Sequence, residues 1–249
     1  MDNLARLEGL NPALLPMMSR EIIGSEVQGS DSWHEARLGI FTGSQLKNLV
    51  SLTSDKPKHS ADKYIYETMA EVITGEVESI TDNQYMKRGR ELEPIAMSWL
   101  EDYLETELIE TGALLMDWSD RVAVSPDRIG VIAGDLELNG FSVKKGDKIV
   151  VESKSPKSTT FLRWSVDKKM PSDHKIQVQA EIMVTKADYA LFLAYDDRCT
   201  GRGAYVVKVM PDLKFQDRIK SVCLECLDKL DKRLELSKNN TIDISSLYF

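Results

Sequence analysis

Two short segments carry residues that could do chemistry together: Ser125-Pro126-Asp127 and Val150-Val151-Glu152-Ser153-Lys154. In an extended strand, side chains two apart leave the same face, so Glu152 and Lys154 project together. A carboxylate and an ammonium on an apolar strand are costly unless they are used or paired. Asp127, at a turn after a neighbouring strand, can bring a second carboxylate to the same place. Two acidic oxygens and a backbone carbonyl, that of Ser153, make a partial shell for Mg²⁺, which takes oxygen ligands and keeps several waters. Such an ion neutralises the charge that builds on a phosphodiester during hydrolysis and acidifies the attacking water. Lys154 would then orient or deprotonate that water, or stabilise the transition state. Beside a metal and in partial burial, its pKa is expected to be depressed. On spacing alone the pattern also fits an ion pair on an edge strand, because Glu and Lys are abundant in this chain.

The elements that must position these groups can be read from periodicity. Residues from about 33 to 106 read as mostly helical. Ala61–Ile73 ends at Gly75, where a C-cap is expected, and Gln84–Leu104 is a longer helix with Pro94 inside it, predicting a kink or restart. Leu108–Leu115 and Arg121–Ser125 read as strands, followed by the Pro126-Asp127 turn. Val131–Leu138 and Phe141–Val143 flank Asn139-Gly140 and read as a hairpin. Lys144–Lys148 is a turn and Ile149–Lys154 resumes an extended run. Ser158–Lys168 and Ser172–Val184 read as helices, the second with Ser172 as N-cap. Ala187–Asp196 and Ala204–Met210 are apolar strands, and an amphipathic helix runs from about Asp212 to Leu236. The expected fold class is α/β, a central mixed β-sheet flanked by helices. It is read as a single domain over 1–249, with an N-terminal extension (1–30) and a C-terminal helix and tail (212–249).

Composition restricts the remaining classes. With 249 residues, 42% hydrophobic and 29% charged, the chain can bury a real core. No apolar run approaches the ~20 residues that cross a bilayer. The N-terminus lacks a secretory signal pattern, so a cytoplasmic location is expected. Three cysteines imply no disulfide framework, and the pair Cys223 and Cys226 lies on the apolar face of the last helix, as small hydrophobes rather than ligands. The formal net charge of −8 argues against nucleic acid only in the far field, since phosphate binding depends on where basic residues sit.

Five ordered blocks resemble one family. Pro126-Asp127 followed by Glu152-Ser153-Lys154 is similar to the PD-(D/E)XK nuclease pattern. SWHEARLGIFTGS (Ser32–Ser44), RGRELEP (Arg88–Pro94), AVSPD (Ala123–Asp127) and IQVQAEIMVTKADYALFLAYDDR (Ile176–Arg198) narrow the resemblance to the phage lambda-type exonucleases, the YqaJ-type viral recombinases. The resemblance implies a restriction-endonuclease-like core. It implies that Asp127, Glu152 and the Ser153 carbonyl ligate Mg²⁺, with Mn²⁺ as a substitute, and that Lys154 acts on the water. Glu93, rather than Glu91, falls where the family has a helix-borne glutamate assisting a second metal. Arg37, Ser44, Ser125 and Gln177 match positions that bind a 5′-phosphate, and those side chains offer suitable donors. The implied activity is 5′-to-3′ exonuclease action on linear double-stranded DNA, leaving a 3′ overhang. The implied partners are DNA ends, two further copies in a homotrimeric ring, and a single-strand annealing recombinase. The implied origin is a phage or prophage in a bacterial host.

In such a ring Lys87, Arg88, Arg90, Lys157, Lys168 and Lys169 are candidates for the DNA-facing side. About two dozen residues separate Asp127 from Glu152, including the decoy acids Asp135, Glu137 and Asp147. The assignment of Asp127 depends on the hairpin returning the chain to the same sheet. Trp33 is expected to be a packing anchor. Two other readings remain open: a PD-(D/E)XK endonuclease, restriction-like or junction-cleaving, and a non-catalytic DNA-binding protein that keeps the fold.

Overall fold

The computed structural model describes residues 11–18, 30–77, 84–138 and 140–241. Its elements run in chain order as α1 (Asp31–Glu35), β1 (Phe41–Thr42), α2 (Ala61–Thr74), α3 (Gln84–Leu104), β2 (Leu108–Ile109), β3 (Leu114–Met116), β4 (Ser119–Val124), β5 (Arg128–Val131), β6 (Leu136–Leu138) and β7 (Phe141–Val143). They continue as β8 (Lys148–Lys154), α4 (Ser158–Asp167), α5 (Ser172–Thr185), β9 (Tyr189–Tyr195), β10 (Ala204–Val209) and α6 (Leu213–Asn240). Two 3-10 helices, Pro12–Met18 and Gly43–Asn48, complete the list.

A five-stranded sheet in the order β10-β9-β8-β5-β2 forms the centre. It is mixed, because β8 and β9 are parallel while the other neighbours are antiparallel. β8 reads IVVES without alternation because both its faces are covered. Ile149, Val151, Leu191 and Leu193 face Ala96, Met97 and Leu100 of α3. Val150, Ala190 and Phe192 face Phe161 of α4 and Val178 and Ile182 of α5. Glu152 and Lys154 share the parity of Val150, so they leave β8 toward α5. A second sheet, β1-β4-β3, packs with α2, α5 and α6 around Phe41, Leu46, Ile65 and Ile219. Leu14, Met17 and Met18 of the first 3-10 helix are buried against the central sheet, which gives that part of residues 1–30 a packing role. Residues 1–10 and 19–29 of the expected N-terminal extension, and the tail from 242, lie outside the described residues.

Several boundaries correct the sequence reading. Leu108–Leu115 is not one strand: β2 joins the central sheet and β3 the other, with the chain passing between them at 110–113. Val131–Leu138 is not one arm of the hairpin either. Arg128–Val131 is a central-sheet strand paired with β8, and only β6 and β7 form the hairpin, with Leu138 opposite Phe141. Asn139 of the expected turn lies outside the described residues, while Gly140 takes the left-handed φ of 90° that such a turn requires. α3 is unbroken through Pro94, and its buried Leu92, Ala96, Met97, Leu100 and Leu104 explain why packing overrides the lost N–H. Ser172 is the first helical residue of α5 and Pro171 occupies the N-cap, without a side-chain cap hydrogen bond. Cys223 and Cys226 are buried free thiols in the α6 core face, as their apolar context predicts. No described helix is long and apolar enough to cross a membrane.

Candidate active site

The ladder between β5 and β8 places Arg128 opposite Val151. One step beyond it, Asp127 meets the end of β8 where Glu152 stands. The Ser153 backbone N–H donates to Asp127 Oδ2 at 2.7 Å, and the hydroxyl of buried Thr111 donates to the Pro126 carbonyl at 3.0 Å, fixing the turn. Arg128 donates to the Asp127 carbonyl at 2.6 Å. The long excursion from Asp127 to Glu152 therefore returns to the same place. Its decoy acids serve the returning turns: Asp135 accepts from the Lys145 N–H, and Asp147 from the Lys144 N–H and the Tyr189 hydroxyl.

Glu152 is fully buried. Its Oε1 accepts from the Lys154 ammonium and, at 2.7 Å, from Gln177 Nε2. The same Gln177 nitrogen lies 2.9 Å from Glu181 Oε1, and Glu181 is also fully buried. Glu152 Oε2 and Glu181 Oε2 are buried with no hydrogen-bond partner. Burial, then Glu152 and Glu93, raise the Asp127 pKa well above the ordinary carboxylate value against the pull of Lys154 and the Ser153 N–H. Burial, then Glu152 and Asp127, do the same to Glu181. Glu93, on α3, is half-buried and also raised by burial, with Arg128 and Lys154 opposing; its Oε1 lies 3.8 Å from Arg128 Nη1. Glu91 is exposed.

Lys154 departs from expectation. Burial works against its charge, but Glu152, Asp127 and Glu181 outweigh that and hold the ammonium above its ordinary pKa. The expected depression assumed a cation beside it; carboxylates are what surround it here. Glu181, four residues after Gln177 on the same helix face, is an acid of this group that the motif spacing does not include. The signal that identifies it is a lone acid inside the apolar run VQAEIMV of a helix buried on most sides.

Asp127, Glu152 and Glu181 are buried together beside one ammonium, and two of their oxygens lack partners. That is a surplus of negative charge, which oxygen-loving Mg²⁺ would neutralise. Among the described residues no three His, Cys, Asp or Glu side chains are already grouped to hold a metal ion. The chemistry of the donors fits the ion, with Lys154 and Gln177 holding Glu152 in its absence.

The four phosphate-pocket candidates fall in two groups. Arg37 follows α1, stacked 3.6 Å over the Trp33 ring, with its Nε buried and unpartnered. Burial lowers its pKa to about 10, against the pull of Tyr64 and Glu71. The Tyr64 hydroxyl accepts from the Thr42 N–H at 3.0 Å, and Thr42 pairs with Ala123 of β4, two residues before Ser125. Ser44 is exposed just after β1, and Ser125 Oγ is buried without a partner. Arg37, Ser44 and Ser125 thus stand on segments that meet along the β1–β4 seam, while Gln177 is joined to the carboxylates. Gly39 has φ 70°, donates to Glu71 Oε2 at 3.1 Å, and would put a Cβ 2.5 Å from Val72 Cγ2, which explains the glycine two residues after Arg37.

Of the six basic residues expected to face DNA, Arg88 is committed elsewhere. It bonds fully buried Asp196 at 2.8 Å and Asp197 at 2.5 Å, and Arg198 also holds Asp196, so the guanidinium closes a structural clasp at the end of β9. Lys87, Arg90, Lys157, Lys168 and Lys169 are exposed, with Lys157 4.4 Å from the Tyr85 ring centroid.

The YqaJ-like viral recombinase domain matches residues 32–188, most of the chain, including the buried carboxylates, Lys154 and the four phosphate-pocket candidates. No curated protein is matched. Among solved structures, the alkaline exonuclease LHK-Exo of Laribacter hongkongensis is similar, with 23% identity, a TM-score of 0.72, and coverage of 84% of this chain and 97% of that one. It is also known in complex with dAMP. A phage-related exonuclease from Haemophilus somnus 129PT is similar at 15% identity and a TM-score of 0.58, covering 80% of this chain and 96% of its own. These likenesses give the fold class: an α/β fold, a mixed sheet flanked by helices, shared with these exonucleases.

Proposed function

Because the chain belongs to the YqaJ-like viral recombinase domain family, we propose that it is a metal-dependent exonuclease that digests linear double-stranded DNA from 5′ ends and leaves a 3′ overhang. Nuclease action on DNA is the part that family membership and fold support together; polarity, metal and end product are the finer reading. The observation that carries it is the buried group of Asp127, Glu152 and Glu181 around one lysine, with Glu152 Oε2 and Glu181 Oε2 unpartnered.

In this reading Asp127, Glu152 and the Ser153 carbonyl hold Mg²⁺ or Mn²⁺, with Glu93 toward a second ion. When bound, the cation supplies charge neutralisation at the phosphate and a more acidic water. Lys154 orients the attacking water or meets the developing charge. Gln177 holds Glu152 and Glu181 in register with each other. Arg37 and Ser125 have buried donors without partners, which suits capture of a terminal phosphate by Arg37, Ser44 and Ser125; Gln177, matched to the same pocket by resemblance, gives its amide N–H groups to Glu152 and Glu181 instead. The neighbouring alkaline exonuclease is named for the same class of activity.

The same family reading gives a homotrimer around DNA that works with a single-strand annealing protein in a bacterial host. A mass measurement in solution tests the trimer. The activity is tested by incubating linear and closed circular DNA with Mg²⁺. Loss of the linear form alone, with label released first from the 5′ end, is the expected result; nicking of the circle would favour an endonuclease, and binding without turnover in Mg²⁺ and Mn²⁺ a non-catalytic protein.

A further inference from the structure

One stripe of α5 leads away from the carboxylates. Glu181, Gln177 and His174 are spaced four and three apart and share a helix face. At 1.5 Å of rise per residue, His174 stands about 4–5 Å along the axis beyond Gln177. There the stripe opens into a cleft of about 410 Å³ between the end of α4 and the start of α5. Its walls include Arg163, Trp164, Lys169 and His174. This volume lies within the roughly 300–1,000 Å³ typical of small-ligand sites.

The ring wall is built into the core. Trp164 and His174 meet edge-on at 5.9 Å between centroids, and Phe192 of β9 supports them at 5.9 Å and 5.4 Å. Arg163 and Lys169 are exposed. Asp167 and Asp173 also line the cleft, which confines an anionic ligand to the Arg163 and Lys169 side. Aromatic rings beside cations, at the end of the helix face that carries Gln177 and Glu181, match the chemistry that binds a single strand of nucleic acid.

We propose that this cleft is a nucleotide subsite: the Trp164 and His174 rings receive a base adjacent to the bond being cut, while Arg163 and Lys169 face its phosphates. The inference rests on the nuclease reading and specifies where the strand leaves the carboxylates. Stacking on Trp164 then contributes to turnover at a fixed distance from the cut, independent of base identity.

The test is single-turnover digestion of linear duplexes carrying one abasic residue at each of the first few positions from the 5′ end. Wild type should slow about tenfold with the abasic residue at one of these positions, consistent with the ~1–3 kcal/mol that a stacked base contributes. Trp164→Ala should be slow on intact DNA and indifferent to the abasic residue, and Trp164→Phe should regain most of the sensitivity. Arg163→Glu, at an exposed position where folding is not at stake, should weaken Ca²⁺-supported binding and reduce its salt dependence by about one phosphate contact. A wild-type rate for Trp164→Ala, an unchanged abasic penalty in Trp164→Ala, or wild-type binding and salt dependence for Arg163→Glu would overturn the subsite. Absence of digestion by wild type on any linear DNA would instead remove the nuclease reading on which the subsite stands.

Discussion

The backbone N–H of Ser153 donates to Asp127 Oδ2 at 2.7 Å, so the strand that carries Glu152 and Lys154 itself clamps the carboxylate from the other segment. A backbone donor survives side-chain substitution. The two halves of the site therefore stay together when Glu152, Glu181 or Lys154 is changed, and their contributions can be separated.

Lys154→Ala removes the ammonium that Glu152 contacts and that Asp127 and Glu181 sense. Digestion should fall by roughly 10²–10⁴-fold, the range for loss of a proton-handling group. Thermal unfolding in EDTA should show a drop of about 3–5 kcal/mol for breaking a buried pair, largely regained in Ca²⁺. Near-normal turnover would remove Lys154 from the chemistry.

Glu181→Gln should reshape the pH dependence of metal-free stability. Burial, then Glu152 and Asp127, hold the Glu181 carboxyl well above its ordinary 4.5. Above that pH the folded state keeps a proton that the unfolded state has released, so wild-type stability falls as pH rises until the folded pKa is passed. The variant lacks this titration. In EDTA its melting temperature should decline less than wild type between about pH 5 and about pH 8. Parallel curves would mean that Glu181 does not titrate in that window.

Arg37→Ala should discriminate between end chemistries. Its Nε is buried without a partner, and Arg37 precedes β1, the strand that pairs with the β4 strand leading to Ser125. Loss of charge-assisted hydrogen bonds of ~1.5–3 kcal/mol should cost about 10- to 100-fold on 5′-phosphorylated ends and much less on 5′-hydroxyl ends. Equal losses on both would count against a phosphate role.

Arg88→Ala tests the clasp. Asp196 keeps Arg198 but loses a buried partner at 2.8 Å. Stability should fall by about 1–3 kcal/mol while the salt dependence of DNA binding stays unchanged. A shallower salt slope with intact stability would return Arg88 to the DNA surface.

The catalytic pattern was legible because a strand repeats every two residues: Glu152 and Lys154 had to share a face, and Asn139-Gly140 announced a return of the chain. Strand β5 was hidden because Gly130 breaks its apolar run. A Cβ there would lie 2.8 Å from Leu108 Cδ2 and 3.2 Å from the Glu107 carbonyl, so the glycine records a close approach of β2 that no local signal reveals. The split of Leu108–Leu115 between two sheets is likewise a tertiary choice. Glu181 left a trace, an acid amid apolar neighbours, but its meeting with Glu152 through Gln177 depends on how α5 lies on β8. The acids around Lys154, Glu152 from its own strand with Asp127 and Glu181 from other segments, raise its pKa without a metal, and two of the three come from segments that spacing does not bring to it. The cleft beside His174 depends on the angle between α4 and α5, which spacing does not encode.

On the nuclease reading, Asp127, held by Ser153, is required for hydrolysis rather than for folding. Asp127→Asn keeps the size of the side chain and an oxygen for the Ser153 N–H. Single-turnover digestion of a 5′-phosphorylated linear duplex in Mg²⁺ should fall by more than the ~10–100-fold that loss of a metal site's outer partners costs, with melting behaviour and Ca²⁺-supported DNA binding retained. A variant that folds, binds DNA and digests it at close to the wild-type rate would contradict the account.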